Sequence, residues 1–187
     1  MTDKKALWND AGKDGLILGA ISLFYMACNF LLGKVGEGSA MVAILASLIG
    51  FVLWAVKFGA CIYLMKFFMK TFAKANPGVD NSDSFKFGCA VALLSALIYS
   101  AGYLAYVTFL EPDIFSKSIE MFADNPMMTS DTMEVMEQMV PKLPRFGFFF
   151  NLIYCYIFGS ALAAIFSRSI PSTNPFAGED DVSGDED

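Results

Sequence analysis

Four long apolar runs, separated by short polar stretches, set the pattern of this chain. The first, GLILGAISLFYMACNFLLG, covers 15–33, and the second covers about 40–65. The third, FGCAVALLSALIYSAGYLAYVTFL, covers 87–110, and the fourth, FGFFFNLIYCYIFGSALAAIF, covers 146–166. A helix needs about 20 apolar residues to cross the hydrocarbon of a bilayer, and all four runs reach that length. Glycine and serine inside them suit close helix contact better than the interior of a strand. Gly15 and Gly19 stand four apart, as do Gly159 and Ala163, so small faces recur at helical spacing. The pattern predicts an all-α protein, an integral membrane four-helix bundle.

The polar flanks give the direction. With the N-terminus inside, the inner flanks hold eight bases: Lys4, Lys5, Lys13, Lys66, Lys70, Lys74, Lys86 and Arg168. The outer flanks hold four, Lys34, Lys117, Lys142 and Arg145. The excess of Lys and Arg belongs on the cytoplasmic side, which predicts both termini in the cytoplasm. The chain then divides into an N-terminus over 1–14, a four-span membrane domain over 15–170 and a tail over 171–187. The tail, rich in Pro, Ser and acids, is expected to be disordered. A cleaved leader is not expected from the first run, because bulky Tyr25 precedes Cys28 and the apolar stretch continues beyond it.

The segment 111–145 is too long for a plain connection and carries helix punctuation. Pro112 suits a first helical position, and Ile114, Phe115, Ile119 and Phe122 fall near one face. Asn125-Pro126 breaks that helix, and Thr129 or Ser130 can cap a second one. Met133, Met136, Met139 and Val140 then form an apolar stripe, with Asp131, Glu134 and Glu137 on another face, and Pro141 and Pro144 end the helix. An amphipathic segment lying on the bilayer or capping the bundle is the expectation. A weaker alternative is an exported copper-binding module, because thioethers prefer Cu(I).

One position breaks the second run. Lys57 lies within FVLWAVKFGACIYLMKFFMK, about 24 Å along the helix from Met41 at 1.5 Å per residue. The Cα–Cβ bond leans toward the helix N-terminus, so reaching the cytoplasmic headgroups means bending back against that lean. No span interior contains a carboxylate to pair with it. Its candidate partners are backbone carbonyls, tyrosine hydroxyls, entering water, or an anionic group from outside the chain. Ions within the membrane mark function by default, and Trp54 and Cys61, each within about one turn, would line such a contact. The opposing reading is a tolerated charge. Lys66, Lys70 and Lys74 recur every fourth residue, with Phe67, Phe68 and Phe72 between them. The helix is expected to run on past the membrane and lay this basic, aromatic face on anionic headgroups.

Composition removes several kinds of chemistry. Only 17% of the 187 residues are charged, against about a quarter in a soluble domain. The net charge of −6 belongs to the tail: the last nine residues hold six acids, and without them 13 acids balance 13 bases. No nucleic-acid partner is expected. There is no histidine, the commonest general base and metal ligand. Cys28, Cys61, Cys89 and Cys155 all lie in apolar runs and read as small buried hydrophobes. No nucleotide loop, metal cluster or nucleophile elbow is present, so no catalytic, cofactor or metal residues are assigned. Asn29 and Asn151, both near outer span ends, are placed to hydrogen-bond to each other.

GLILGAISLF, FKFGCAVALLSALIYSAGYLAYVTFLEPDI, TMEVMEQM and AAIFSRSIPSTNPF, taken in order, resemble the domain-of-unknown-function family numbered forty-one ninety-nine, over about residues 10–175. The resemblance implies four spans, an envelope location in a Gram-negative bacterium and no catalytic residues. It also implies a partnership with a polyprenyl-phosphate glycosyltransferase, beside which members are often encoded. The reading is therefore a non-enzymatic inner-membrane accessory or scaffold protein in envelope biogenesis, with a small transporter or channel component as the alternative and a homo-oligomer left open.

The topology predicts that, in a chain freed of its native cysteines, a cysteine at Ser130 reacts with an impermeant thiol reagent in intact cells while one at Ser172 is protected. The reverse labelling pattern would invert the orientation.

Overall fold

A computed structural model describes residues 4–36, 39–76, 78–123 and 130–170. The Asn125-Pro126 break, the Thr129 cap and the 171–187 tail lie outside the described residues. Helix α1 runs Lys4–Gly36, α2 Ala40–Ala75 and α3 Asn81–Ala105, the last continuing as a π-helical turn over Tyr106–Leu110. Two short helices follow, α4 at Ile114–Ala123 and α5 at Ser130–Met139. A 3₁₀ turn at Val140–Lys142 then leads into α6, Leu143–Ser167. α1, α2, α3 and the path into α6 are each long and apolar enough to cross a membrane. The four-span bundle with a helical segment between the third and fourth spans is thus the fold.

Local chemistry sets the helix ends. The Ser39 hydroxyl accepts from the Val42 amide and starts α2, and the Asp80 carboxylate accepts from the Asp83 amide at 2.7 Å and starts α3. Between α2 and α3 the chain turns through Gly78, whose φ of 94° side chains avoid. Asn81 lies at the other end of the same connection, where its amide donates to the carbonyls of Ser167 and Ile170 and caps the end of α6.

Several expectations change here. α1 begins in the polar N-terminus, at Lys4, and α3 begins at Asn81, well before the apolar run. Pro141 and Pro144 do end α5, which stops at Met139, but no loop follows. Pro141 sits in the 3₁₀ turn and Pro144 in the first turn of α6, where a missing N–H costs no helix bond, so the path from α5 into α6 stays helical. α4 starts after Pro112, with the Asp113 carbonyl accepting from the Lys117 amide. Asn29 and Asn151 do not pair, because each side-chain amide turns back to its own helix, on the carbonyls of Tyr25 and Gly147.

α3 is the central helix, packed on α1 along one side and on α6 along the other. Small residues permit this. Gly15 and Gly19 lie against Leu94 and Ile98 of α3, and Gly159 lies against Ala92. A Cβ at Gly88 would meet Ala163 Cβ at 2.6 Å. The buried core gathers at the end of the bundle that carries the chain termini. Met65, Phe68, Met69 and Phe72 of α2 meet Phe87 and Val91 of α3 there, with the Phe72 and Phe87 rings stacked at 4.0 Å. All buried residues of α2 lie within this stretch.

At the opposite, loop-bearing end, Lys34 of α1 donates to Glu111 at 2.7 Å and lies over the Phe30 ring. That hydrogen bond, helped by the charges of Lys34 and Lys117 and opposed by partial burial, holds the Glu111 carboxyl below its ordinary range.

Two outcomes follow from these contacts. Gly88→Ala should cost about 1–3 kcal/mol by overpacking, measured by thermal unfolding in detergent, and Ala163→Gly in the same chain should recover part of it. A Gly88→Ala chain as stable as the parent would refute the close approach of α3 and α6. Because the Glu111 carboxyl titrates lower in the folded chain, its stabilising contribution is present above the ordinary Glu value of about 4.3 and is lost as pH falls through the lowered one. Acid unfolding of Glu111→Gln should therefore show a smaller loss than the parent over that window.

Candidate functional site

Lys57 does not reach back to the headgroups beside Lys66. Met65 touches the site of a Cβ on Gly88, so Lys57, eight residues earlier on an antiparallel helix, stands about level with Ala96. Tyr99 lies almost one turn further toward the loop-bearing end. The ammonium nitrogen rests 5.0 Å from the centre of the Tyr99 ring and 5.3 Å from that of Tyr25. The side chain therefore rises in the direction its Cα–Cβ bond already leans and turns inward, between α1 and α3.

Magnitudes decide what these rings accomplish. A lysine near the centre of a membrane helix costs about 2.5–3.5 kcal/mol on insertion scales. A desolvated cation–π contact contributes up to about 2 kcal/mol, so two are of the size to offset the charge. They leave its donors unfilled. An ammonium carries three N–H groups, and among the described residues Lys57 enters no hydrogen bond and no ion pair. The charge is accommodated while its directional bonding capacity stays unused.

Lys57 lines a cavity of about 150 Å³ enclosed by all four long helices. Leu18, Met65 and Leu162 line it on the terminal side, Ser22 and Ser95 add hydroxyls, and Cys61 and Cys155 add thiols from α2 and α6. Trp54 lines this cavity and also a larger, open groove of about 690 Å³ between α1 and α2, walled by residues such as Leu32, Ala43, Ala46, Gly50 and Phe51. Phe51, Trp54 and Phe58 stack in succession on α2, and Phe58 reaches Phe158 of α6 at 5.2 Å. The result is a single cation in an aromatic, weakly polar chamber that shares its Trp54 wall with a neighbouring groove, where Tyr25, Asn29 and Ser47 add polar groups to an otherwise apolar lining.

The structure brings Trp54, Lys57 and Cys61 onto this one wall. It places Lys66, Lys70 and Lys74 elsewhere, exposed on the far side of α2. The basic and aromatic residues there do not share one face. Phe68 and Phe72 are buried in the core, half a turn from the lysines, and only Phe67 stays outside. The cysteines are half-buried and free, less enclosed than their apolar surroundings suggested. Tyr25 was not singled out from sequence as a partner, although it carries half of the lysine's contact. Its signal was present, a lone tyrosine in an otherwise apolar turn, but matching it to Lys57 needs the register of α1 against α2. In the segment between the third and fourth spans, Met133 and Met136 are half-buried and Met139 is exposed, while α4 and α5 pack on each other.

No curated protein and no solved structure matches this chain. A family model does match, over residues 13–168, and covers all four long helices and the Lys57 chamber. Its description is "Protein of unknown function (DUF4199)", and the chain belongs to that family.

Proposed function

We propose that the protein is a non-enzymatic accessory or scaffold subunit of a bacterial inner membrane, and that it works by holding one anionic group at Lys57. The observation that carries this is the ammonium held by the Tyr25 and Tyr99 rings, at a cavity wall, with no hydrogen bond or carboxylate among the described residues. Ring faces offset the charge without consuming its N–H donors. An arriving anion would gain those donors in a medium where charge-assisted hydrogen bonds are strong. The anion comes from a lipid or from an acidic side chain of a membrane partner, and an enzyme acting on lipid-linked glycans is one such partner. In this reading both termini face the cytoplasm, and Lys66, Lys70 and Lys74 on α2 lie against anionic headgroups there, each adding about 1 kcal/mol of surface attraction.

A small transporter or channel component is the second reading. The chamber and groove on either side of Trp54 favour it, whereas the packed core beneath them counts against a continuous path through one chain.

Lys57→Met keeps side-chain length and removes the charge. It should lower recovery of co-purifying membrane partners or of bound anionic lipid, read by native mass spectrometry, and should disturb the cell envelope. Unchanged partner recovery, unchanged lipid and a normal envelope together would reduce Lys57 to a tolerated charge.

A further inference from the structure

We infer that the group held at Lys57 is the carboxylate of a long-chain fatty acid, with its tail in the groove between α1 and α2; this rests on the anion-holding reading of Lys57. Four features of the site select that class. One ammonium without a second base matches one negative charge. The floor matters next. Leu18, Met65 and Leu162 line the terminal side of the chamber, and Met65 belongs to the buried core. On that side of the lysine the chamber reaches past Cys61 only as far as Met65 and Leu162, so whatever a bound group carries there must fit within about 150 Å³. A carboxylate carries nothing there, while a phosphodiester must place its headgroup substituent in that small space.

Depth points the same way. Lys57 stands nine residues, about 13 Å, from Lys66, the nearest base at the terminal end of α2. A fatty acid can cross that distance as the neutral acid, whereas a phospholipid phosphate stays charged and would need to leave the headgroup plane. Direction is the fourth feature. An amphiphile in the leaflet beside the chain termini points its head to that side and its tail to the bilayer centre. Toward the loop-bearing end the groove adjoins Lys57: Trp54 lines both spaces, and Tyr25, whose ring lies 5.3 Å from the ammonium, lines the groove. The groove wall from Trp54 to Ala43 is about 16 Å long, and its small residues Ala43 and Ala46 leave room beside α1 for an acyl chain. At Gly50 the groove narrows, because the Asn29 side chain of α1 comes close there.

The test uses the full-length chain, delipidated and placed in nanodiscs, with carbon-labelled hexadecanoate, octanoate, phosphatidylglycerol and an acidic membrane peptide as separate probes. Hexadecanoate should bind the parent and Lys57→Arg, and Lys57→Met should weaken it about thirtyfold or more, as expected for removing one partner of a buried charge pair. Ala46→Phe, which fills the groove and leaves the lysine in place, should weaken hexadecanoate more than octanoate. Thermal unfolding of each variant confirms that the bundle is intact. Lys57-dependent binding of phosphatidylglycerol or the peptide, without hexadecanoate, would overturn the fatty-acid assignment and leave the anion-holding reading standing. Binding of none of the probes in a Lys57-dependent way would overturn both. Equal weakening of both chain lengths by Ala46→Phe would remove the tail from the groove.

Discussion

The approach of α3 and α6 through Gly88 and Ala163 governs the arrangement of everything else. With only the Ala163 methyl between them at that point, the two backbones come close, and Met65 and Met69 of α2 fit over the same spot. Phe72 then stacks on Phe87, and the terminal end of the bundle closes into a dense core. Within a bilayer the hydrophobic effect gives helices little reason to associate, so contact must come from shape. The fit is good at one end of α2 and poor at the other. The chamber around Lys57 lies where the tight packing stops.

That location explains how a charged residue is accommodated in a span. In the packed core there would be no room for the ammonium, and on the outer face of α2 it would meet hydrocarbon. Between the two it finds Tyr25 and Tyr99, whose rings accept a cation without demanding its protons. A carboxylate in their place would form a permanent ion pair and leave nothing for a ligand to gain. The two cysteines and two serines around it provide weak polarity, enough to line a cavity and too little to fill the lysine's bonding capacity.

Much of this was legible in the sequence. The length of each apolar run located the four spans, because a bilayer of fixed thickness demands a fixed number of helical residues. Spacing of Gly15 with Gly19 and of Gly159 with Ala163 located the close contacts. Lys57 was visible as an anomaly, and the lean of its Cα–Cβ bond argued against the headgroups beside Lys66, the direction in which the side chain does not turn. What stayed hidden depended on register between helices. Neither Tyr25 nor the shared wall at Trp54 follows from one helix at a time, and the opposite placement of the Lys66 and Phe68 series required knowing which side of α2 met α3. Pro141 and Pro144 marked the end of α5 but not the helical path beyond it, for a local reason: proline ends a helix from within and begins one from its first turn, and only the position of the following N–H groups distinguishes the two.

The one-ended burial of α2 has a mechanical consequence. A beam packed in a core at one end and held at the other by a single neighbour, as α2 is by α1, moves least near its core. Met41 lies about 36 Å from Met65 along α2, and Lys57 lies about 12 Å from it. A rocking of about 5° about the core would displace the Met41 end by about 3 Å and the lysine by only about 1 Å, on that same helical rise. The mouth of the groove can thus widen or narrow with the surrounding lipid while the cation keeps its place between the two rings.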